Sequence, residues 1–194
     1  MTRIIVFGCG GIGGYVGGML TNAGEDVTMV DIWPEHVEAM KTSGLHIECG
    51  FHQRAFNVPV KALHLHELQL ETGQFDYGFV CVKSYDTEWA TQLLRGYVKP
   101  TGAFVSFQNG INEERLALVA GKENCLGCVI IIAAACYEPG HIVRFDSRDH
   151  AFKFGEQSGP TSARARALAA MFDGADCGYC HRCAASAAAA AVRI

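Results

Sequence analysis

The stretch Gly8-Cys9-Gly10-Gly11-Ile12-Gly13 constrains this chain more than any other, because of what flanks it. Residues 3–7 are a short apolar run rich in β-branched side chains, the pattern of a buried parallel strand. Beyond the glycines, Ile12, Tyr15, Val16, Met19, Leu20 and Ala23 recur at helical spacing, and Gly24 marks the stop. A glycine turn from strand into helix offers unpaired N–H groups and the positive dipole end to an anion such as a diphosphate. In this G-x-G-x-x-G, Gly8 permits the tight turn and Gly10 has no side chain to hold off a pyrophosphate. Gly13 lets the helix lie close to the strand. A second strand from Asp26 to Val30 ends at Asp31, at about the 20-residue offset where a carboxylate accepts hydrogen bonds from an adenosine ribose. That carboxylate repels a 2′-phosphate, and Ile32 and Trp33 follow it in place of Arg or Lys, so the residues favour NADH over NADPH. The plainer readings are a glycine turn without a ligand and an exposed aspartate at a strand end.

The rest of the chain alternates strand and helix patterns. Pro34 starts a helix with Val37 and Met40 inward, stopped near Gly44. Leu45 to Val60 suggests short antiparallel strands, and residues 63–72 a short helix. Phe75–Val82 is a buried strand. Ser84 caps the next helix, whose expected inner face is Tyr85, Trp89, Leu93 and Tyr97. Lys99–Gly102 reads as a loop, Ala103–Phe107 as a strand, and the segment after Gln108-Asn109-Gly110 as a helix to Val119. Strands over Cys125–Ile132, His141–Phe145 and Ala151–Phe154 and a helix over Thr161–Phe172 complete the series. The fold class is therefore α/β, a Rossmann-type doubly wound, mainly parallel sheet with helices on both faces. Lys83 and Asn109 fall at strand carboxyl ends, where such sheets take ligands. A lysine offers a point charge to a phosphate or carboxylate, and an asparagine amide both donates and accepts. A solvated lysine and an Asn-Gly turn are the ordinary alternatives.

Composition narrows the field. Lys and Arg number 16 against 20 Asp and Glu, a net charge of −4, so there is no basic excess to hold nucleic acid. The longest apolar run, Cys125 to Cys136, is too short to span a bilayer. The start is not that of a signal peptide, and nine cysteines then read as reduced thiols in a cytoplasmic protein. Cys9, Cys49, Cys81, Cys125, Cys128 and Cys136 sit in apolar company, as small core residues do.

Together these motifs resemble the ketopantoate reductase (2-dehydropantoate 2-reductase) family. The matching stretches are Gly8–Tyr15, Val82-Lys83-Ser84-Tyr85-Asp86-Thr87, Phe107-Gln108-Asn109-Gly110-Ile111 and Glu138-Pro139-Gly140. The resemblance covers residues 3–173 and implies reduction of a small 2-oxo acid to a 2-hydroxy acid by hydride from a nicotinamide. It implies that Lys83 and Asn109 lie beside cofactor and substrate, and that Ala133 lines the cofactor site together with Gly8, Cys9, Gly10, Gly11, Ile12, Gly13 and Asp31. The family suggests NADP where Asp31 suggests NAD. It also implies a helical C-terminal domain carrying a lysine general acid. No lysine follows Lys153 here, so the expectation is a dinucleotide domain over residues 1–173, catalytically incomplete alone, and an atypical Cys- and Ala-rich tail over 174–194. An apolar face left uncovered would favour a homo-oligomer.

The tail also carries Cys177-Gly178-Tyr179-Cys180-His181, a C-x-x-C-H haem-attachment pattern, and Cys183 adds a third thiol that could join a zinc site. Exposed thiols are the simpler reading, and no metal site is expected. Two alternatives to the reductase stay open: a non-catalytic dinucleotide-binding module, and a Rossmann dehydrogenase for another substrate.

Overall fold

Strand β1 (Arg3–Phe7) buries Ile4 and Val6 on one face and Ile5 and Phe7 on the other. A strand apolar on both sides belongs inside a sheet covered on both faces. The computed structural model describes residues 2–50, 54–146, 152–157 and 162–175. After β1 come α1 (Gly11–Asn22), β2 (Asp26–Asp31), α2 (Pro34–Ser43), β3 (Leu45–Cys49), β4 (Arg54–Val58), β5 (Lys61–His64) and β6 (Phe75–Val80). Then follow α3 (Thr87–Leu94), β7 (Val98–Ser106), α4 (Glu113–Ala120), β8 (Cys125–Ile130), β9 (Ala134–Glu138), β10 (His141–Arg144), β11 (Phe152–Glu156) and α5 (Ala163–Gly174). Seven strands form one sheet in the order β11-β8-β7-β6-β1-β2-β5, parallel throughout except for β11 on β8. The chain winds outward from β1 through β2 to β5, then returns to β6 on the other side of β1. The carboxyl ends of β1 and β6 therefore flank the crevice where sheets of this kind take ligands.

One face of this sheet carries α3, α4 and a 3-10 turn over Leu65–Leu70, which pack Ala90, Leu94, Leu116 and Leu68 against Ile5, Phe7, Val30 and Val80. The other carries α1 and α5. Phe172 of α5 stacks on Phe107 with ring centroids 5.7 Å apart, and Phe79 tilts against Phe107 at 4.7 Å. A second sheet, β4-β3-β10-β9, lies over the outer side of α1. Glycines on α1 permit the approach: a Cβ at Gly14 would lie 2.5 Å from Ile142 Cδ1, and one at Gly18 2.5 Å from Ile47 Cδ1.

The structure departs from the sequence reading in four places. β5 and β9 are strands that local pattern did not predict; β9 pairs antiparallel with β10, and β10 lies parallel to β3. β7 starts at Val98 and runs through the expected Lys99–Gly102 loop. The inner face of α3 is Thr87, Ala90, Thr91 and Leu94, while Tyr85 and Trp89 are 79% and 50% exposed. Tyr85 lies in a 3-10 turn (Ser84–Asp86) that precedes the helix, so its phase differs from the helical one. Ser84 contributes its carbonyl, which accepts from Thr87 Oγ1 and Arg115 Nη1, in place of a capping hydroxyl. Among the described residues no helix is long and apolar enough to cross a membrane. The readings placed on Cys177, Cys180, His181 and Cys183 lie outside the described residues.

Candidate functional site

The carboxyl ends of β1, β2, β6, β7 and β8 bring the glycine loop, Asp31, Lys83, Asn109 and Ala133 to one edge of the large sheet. Ladder hydrogen bonds continue past the strand ends into the loops. Gly8 N–H donates to Val30 O, Cys81 N–H to Phe7 O and Phe107 N–H to Val80 O, each at 2.9 Å.

The glycines differ in what they face. Gly8 has φ 92°, and a Cβ there would sit 2.9 Å from the Cys81 carbonyl carbon and Val82 N. At Gly13 a Cβ would run into the Gly8 carbonyl oxygen, and at Gly11 into that of Ala134. Gly10 is exposed, and nothing lies within 4 Å of where its Cβ would be. The protein's own packing does not require glycine there; the space beside it is open. The Gly14 N–H makes the bond to Gly10 O at 2.7 Å, so the amides of Gly11, Ile12 and Gly13 precede the helical ladder. A cradle of this shape fits a diphosphate.

Asp31 is 9% exposed. Its Oδ2 accepts the Cys9 N–H and its Oδ1 the Trp33 N–H. A carboxylate has about four lone-pair positions, so two remain for another donor. Ile32, alongside, is 67% exposed. Burial, then the Asp31 charge, pushes the Cys9 thiol well above its ordinary range, and burial does the same to Cys81. Both thiols at the crevice are therefore protonated core groups without nucleophilic character. Of the six cysteines expected in the core, Cys9, Cys49, Cys125 and Cys128 are buried and Cys81 and Cys136 half-buried.

Lys83 is exposed, and among the described residues its ammonium makes no hydrogen bond or ion pair. Asn109 is exposed with its carbonyl accepting from Asn112 Nδ2 at 2.9 Å. Ala133 is exposed, its carbonyl accepting from the Phe145 N–H at 2.9 Å. Among the described residues no group of three or more His, Cys, Asp or Glu is placed to hold a metal ion.

Residues 4–159 match the sequence model of the family described as Ketopantoate reductase PanE/ApbA. The chain belongs to the ketopantoate reductase family. The uncharacterized oxidoreductase YkpB of Bacillus subtilis is 32% identical over 173 residues, which cover 89% of this chain and 54% of that protein. The 2-dehydropantoate 2-reductase of Pyrococcus horikoshii is 33% identical over 139 residues, 71% of this chain and 42% of that one. The crystal structure of 2-dehydropantoate 2-reductase from Geobacter metallireducens matches with a TM-score of 0.77 at 30% identity, over 89% of this chain and 55% of that chain. The chain thus spans about half the length of these relatives.

Two supports of this edge were not read from sequence. Gln108, buried at the end of β7, donates through Nε2 to the Val82 carbonyl at 2.8 Å and to Thr87 Oγ1 at 2.9 Å, and its Oε1 accepts from Ser106 Oγ at 2.8 Å. It fixes the loop that carries Lys83. Its neighbour Asn109 drew attention in the Gln-Asn-Gly motif, although the glutamine is the buried member. Arg144, 3% exposed, donates through Nη1 to Tyr15 OH at 2.7 Å and through Nη2 to Asp146 Oδ1 at 3.0 Å. Asp146 Oδ2 accepts the Ala133 N–H at 2.5 Å, so Ala133 is strapped to α1 through β10. No local signal marks a pairing that joins residues 129 positions apart.

Proposed function

We propose that this chain binds a nicotinamide dinucleotide, NADH in preference to NADPH, and serves the reduction of a small 2-oxo acid, with 2-dehydropantoate as the reference substrate. One observation carries the reading: the open space beside Gly10 and the α1 amino end shares a sheet edge with Asn109, Ala133 and the Lys83 ammonium, which has no partner among the described residues. When bound, the dinucleotide supplies hydride to the substrate carbonyl. The amides at the start of α1 hold the diphosphate. The remaining lone pairs of Asp31 receive the adenosine ribose, and a 2′-phosphate would meet that carboxylate charge on charge, with exposed Ile32 offering no counter-charge. The Lys83 ammonium draws the substrate's oxygen and stabilises the negative charge that develops there as hydride arrives. Asn109 donates to and accepts from the ribose or the carbonyl-bearing ligand.

Gly10, Lys83, Asn109 and Ala133 are all exposed, so water reaches the edge where hydride would move. Turnover by the 194-residue chain alone is therefore expected to be negligible while cofactor binding is retained. Calorimetric titration with NADH and NADPH, followed by absorbance assays with 2-dehydropantoate, tests both halves. Binding of neither dinucleotide overturns the reading, tighter NADPH overturns the Asp31 argument, and rapid turnover overturns the incompleteness.

A further inference from the structure

The glycine loop is gripped from the protein side by two side chains, and one of them, His36, has had no role so far. Its ring is 0% exposed on the first turn of α2. Nδ1 accepts the Gly140 N–H at 2.9 Å. A neutral ring then carries its hydrogen on Nε2, which lies 2.9 Å from the Cys9 carbonyl oxygen and donates to it. The two partners together select one tautomer. The Trp33 ring stacks on the imidazole at 5.5 Å and 21°.

A trans peptide points its C=O and N–H in opposite directions. Holding the Cys9 carbonyl inward on His36 therefore aims the Gly10 N–H outward, on the exposed side of the loop. One peptide earlier, Asp31 holds the Cys9 N–H. Two successive peptide planes are thus fixed, one by its N–H and the next by its C=O. Without the second grip the 9–10 peptide can rotate and present an oxygen, in place of an N–H, to a diphosphate.

We propose that His36 is a positioning residue of the dinucleotide site: it turns the Gly10 amide toward the diphosphate and, through Gly140, ties that orientation to the β9–β10 turn. The proposal rests on the dinucleotide reading above.

The test uses His36→Gln, His36→Asn and wild type as the full 194-residue chain, with NADH as the probe. Glutamine reaches the Nε2 position and can still donate to Cys9; asparagine reaches only the Nδ1 position and can still accept from Gly140. A merely structural histidine would make the two variants alike. The expected result is NADH affinity within about threefold of wild type for His36→Gln and about tenfold weaker for His36→Asn, the loss that corresponds to one net hydrogen bond. Equal affinities for two folded variants overturn the proposal. Wild type that binds no dinucleotide overturns the parent reading instead. A measurement on wild type stands independently of how the variants fold. In an NMR titration with NADH, the Gly10 amide proton is expected to move downfield while the His36 ring stays in its Nε2–H form. A Gly10 amide that stays still while neighbouring loop amides move overturns the proposal.

Discussion

Replacing Gly10 and Gly13 by alanine, one at a time, separates what glycine does for a ligand from what it does for the fold. At Gly10 the backbone is at φ −63° and ψ −158°, an extended conformation that alanine adopts, and no atom lies within 4 Å of the added Cβ. Such a change stabilises a chain by about 0.4–1 kcal/mol through the unfolded state. For a domain of this size that raises Tm by about 1–4 °C. At Gly13 the added methyl meets the Gly8 carbonyl oxygen and stands 2.8 Å from Cys81 Cβ, both in packed surroundings. Overpacking of that kind costs about 1–3 kcal/mol, a fall in Tm of about 2–12 °C. Binding moves the other way. The Gly10→Ala methyl enters the space where a diphosphate would lie and displaces it from at least one amide. A hydrogen bond to a charged group is worth about 1.5–3 kcal/mol, so NADH affinity is expected to fall about 10- to 150-fold. Scanning calorimetry and NADH titration on both variants provide the comparison. A Gly10→Ala chain that binds NADH within about twofold of wild type would refute the reasoning, as would one that loses as much Tm as Gly13→Ala.

Three further outcomes follow from side chains at and behind the site. Gln108→Leu leaves the Val82 carbonyl and Ser106 hydroxyl without their present partner, at about 1–3 kcal/mol for a buried group; urea midpoints are expected to fall accordingly, and an unchanged midpoint would remove Gln108 as the anchor of the Lys83 loop. Lys83→Met, at an exposed ammonium, is expected to leave stability within about 0.5 kcal/mol and to weaken 2-dehydropantoate binding to the NADH-loaded chain about tenfold, read by calorimetry. Glu156 is bonded by Arg164 through both carboxylate oxygens, at 2.9 and 2.7 Å, and this holds its carboxyl below the usual range. The unfolded chain therefore takes up that proton at higher pH than the folded one, so the pair's contribution is complete above about pH 4.3 and is lost as pH falls further. Urea midpoints measured between neutral pH and about pH 3 should show a shallower acid limb in Arg164→Ala than in wild type.

How much was legible in the sequence depended on how local the cause was. The β1–loop–α1 unit could be read because one short segment holds strand, turn, orphan amides and helix, and because Gly13 is demanded by the Gly8 carbonyl five positions earlier, although what presses on Gly8 is the distant Cys81–Val82 backbone. The second sheet could not be read whole. Its strand β9, Ala-Ala-Cys-Tyr-Glu, has no alternation and half-buries its first three residues against α1, while β10 joins β3 with His141 opposite His46, far apart in the chain. The helix α3 misled for a different reason. Large aromatics at Tyr85 and Trp89 suggested an inner face, but the stripe that packs is Thr87, Ala90, Thr91 and Leu94, whose small members let the helix sit close to the sheet and to α4. Asp31 stands out in the sequence as the acidic residue at the end of β2; that it grips the Cys9 amide needed coordinates.

The unexpected sheet bears directly on the ligand edge. A glycine-to-helix turn with only one sheet behind it would need few glycines inside the helix, yet α1 carries Gly14 and Gly18 on its outer side, where Ile142 and Ile47 press in. The same sheet brings the Ala134 carbonyl against Gly11, Gly140 onto His36, and Arg144 with Asp146 onto Ala133. Each contact immobilises backbone at or beside the proposed dinucleotide site, and each comes from β9, β10 or the segments that adjoin them. Ordering these loops before a ligand arrives lowers the conformational cost of binding. The small sheet is then a brace for the site, and loosening it behind α1, for instance with Ile142→Ala, should weaken NADH binding beyond the loss of stability that a cavity alone brings.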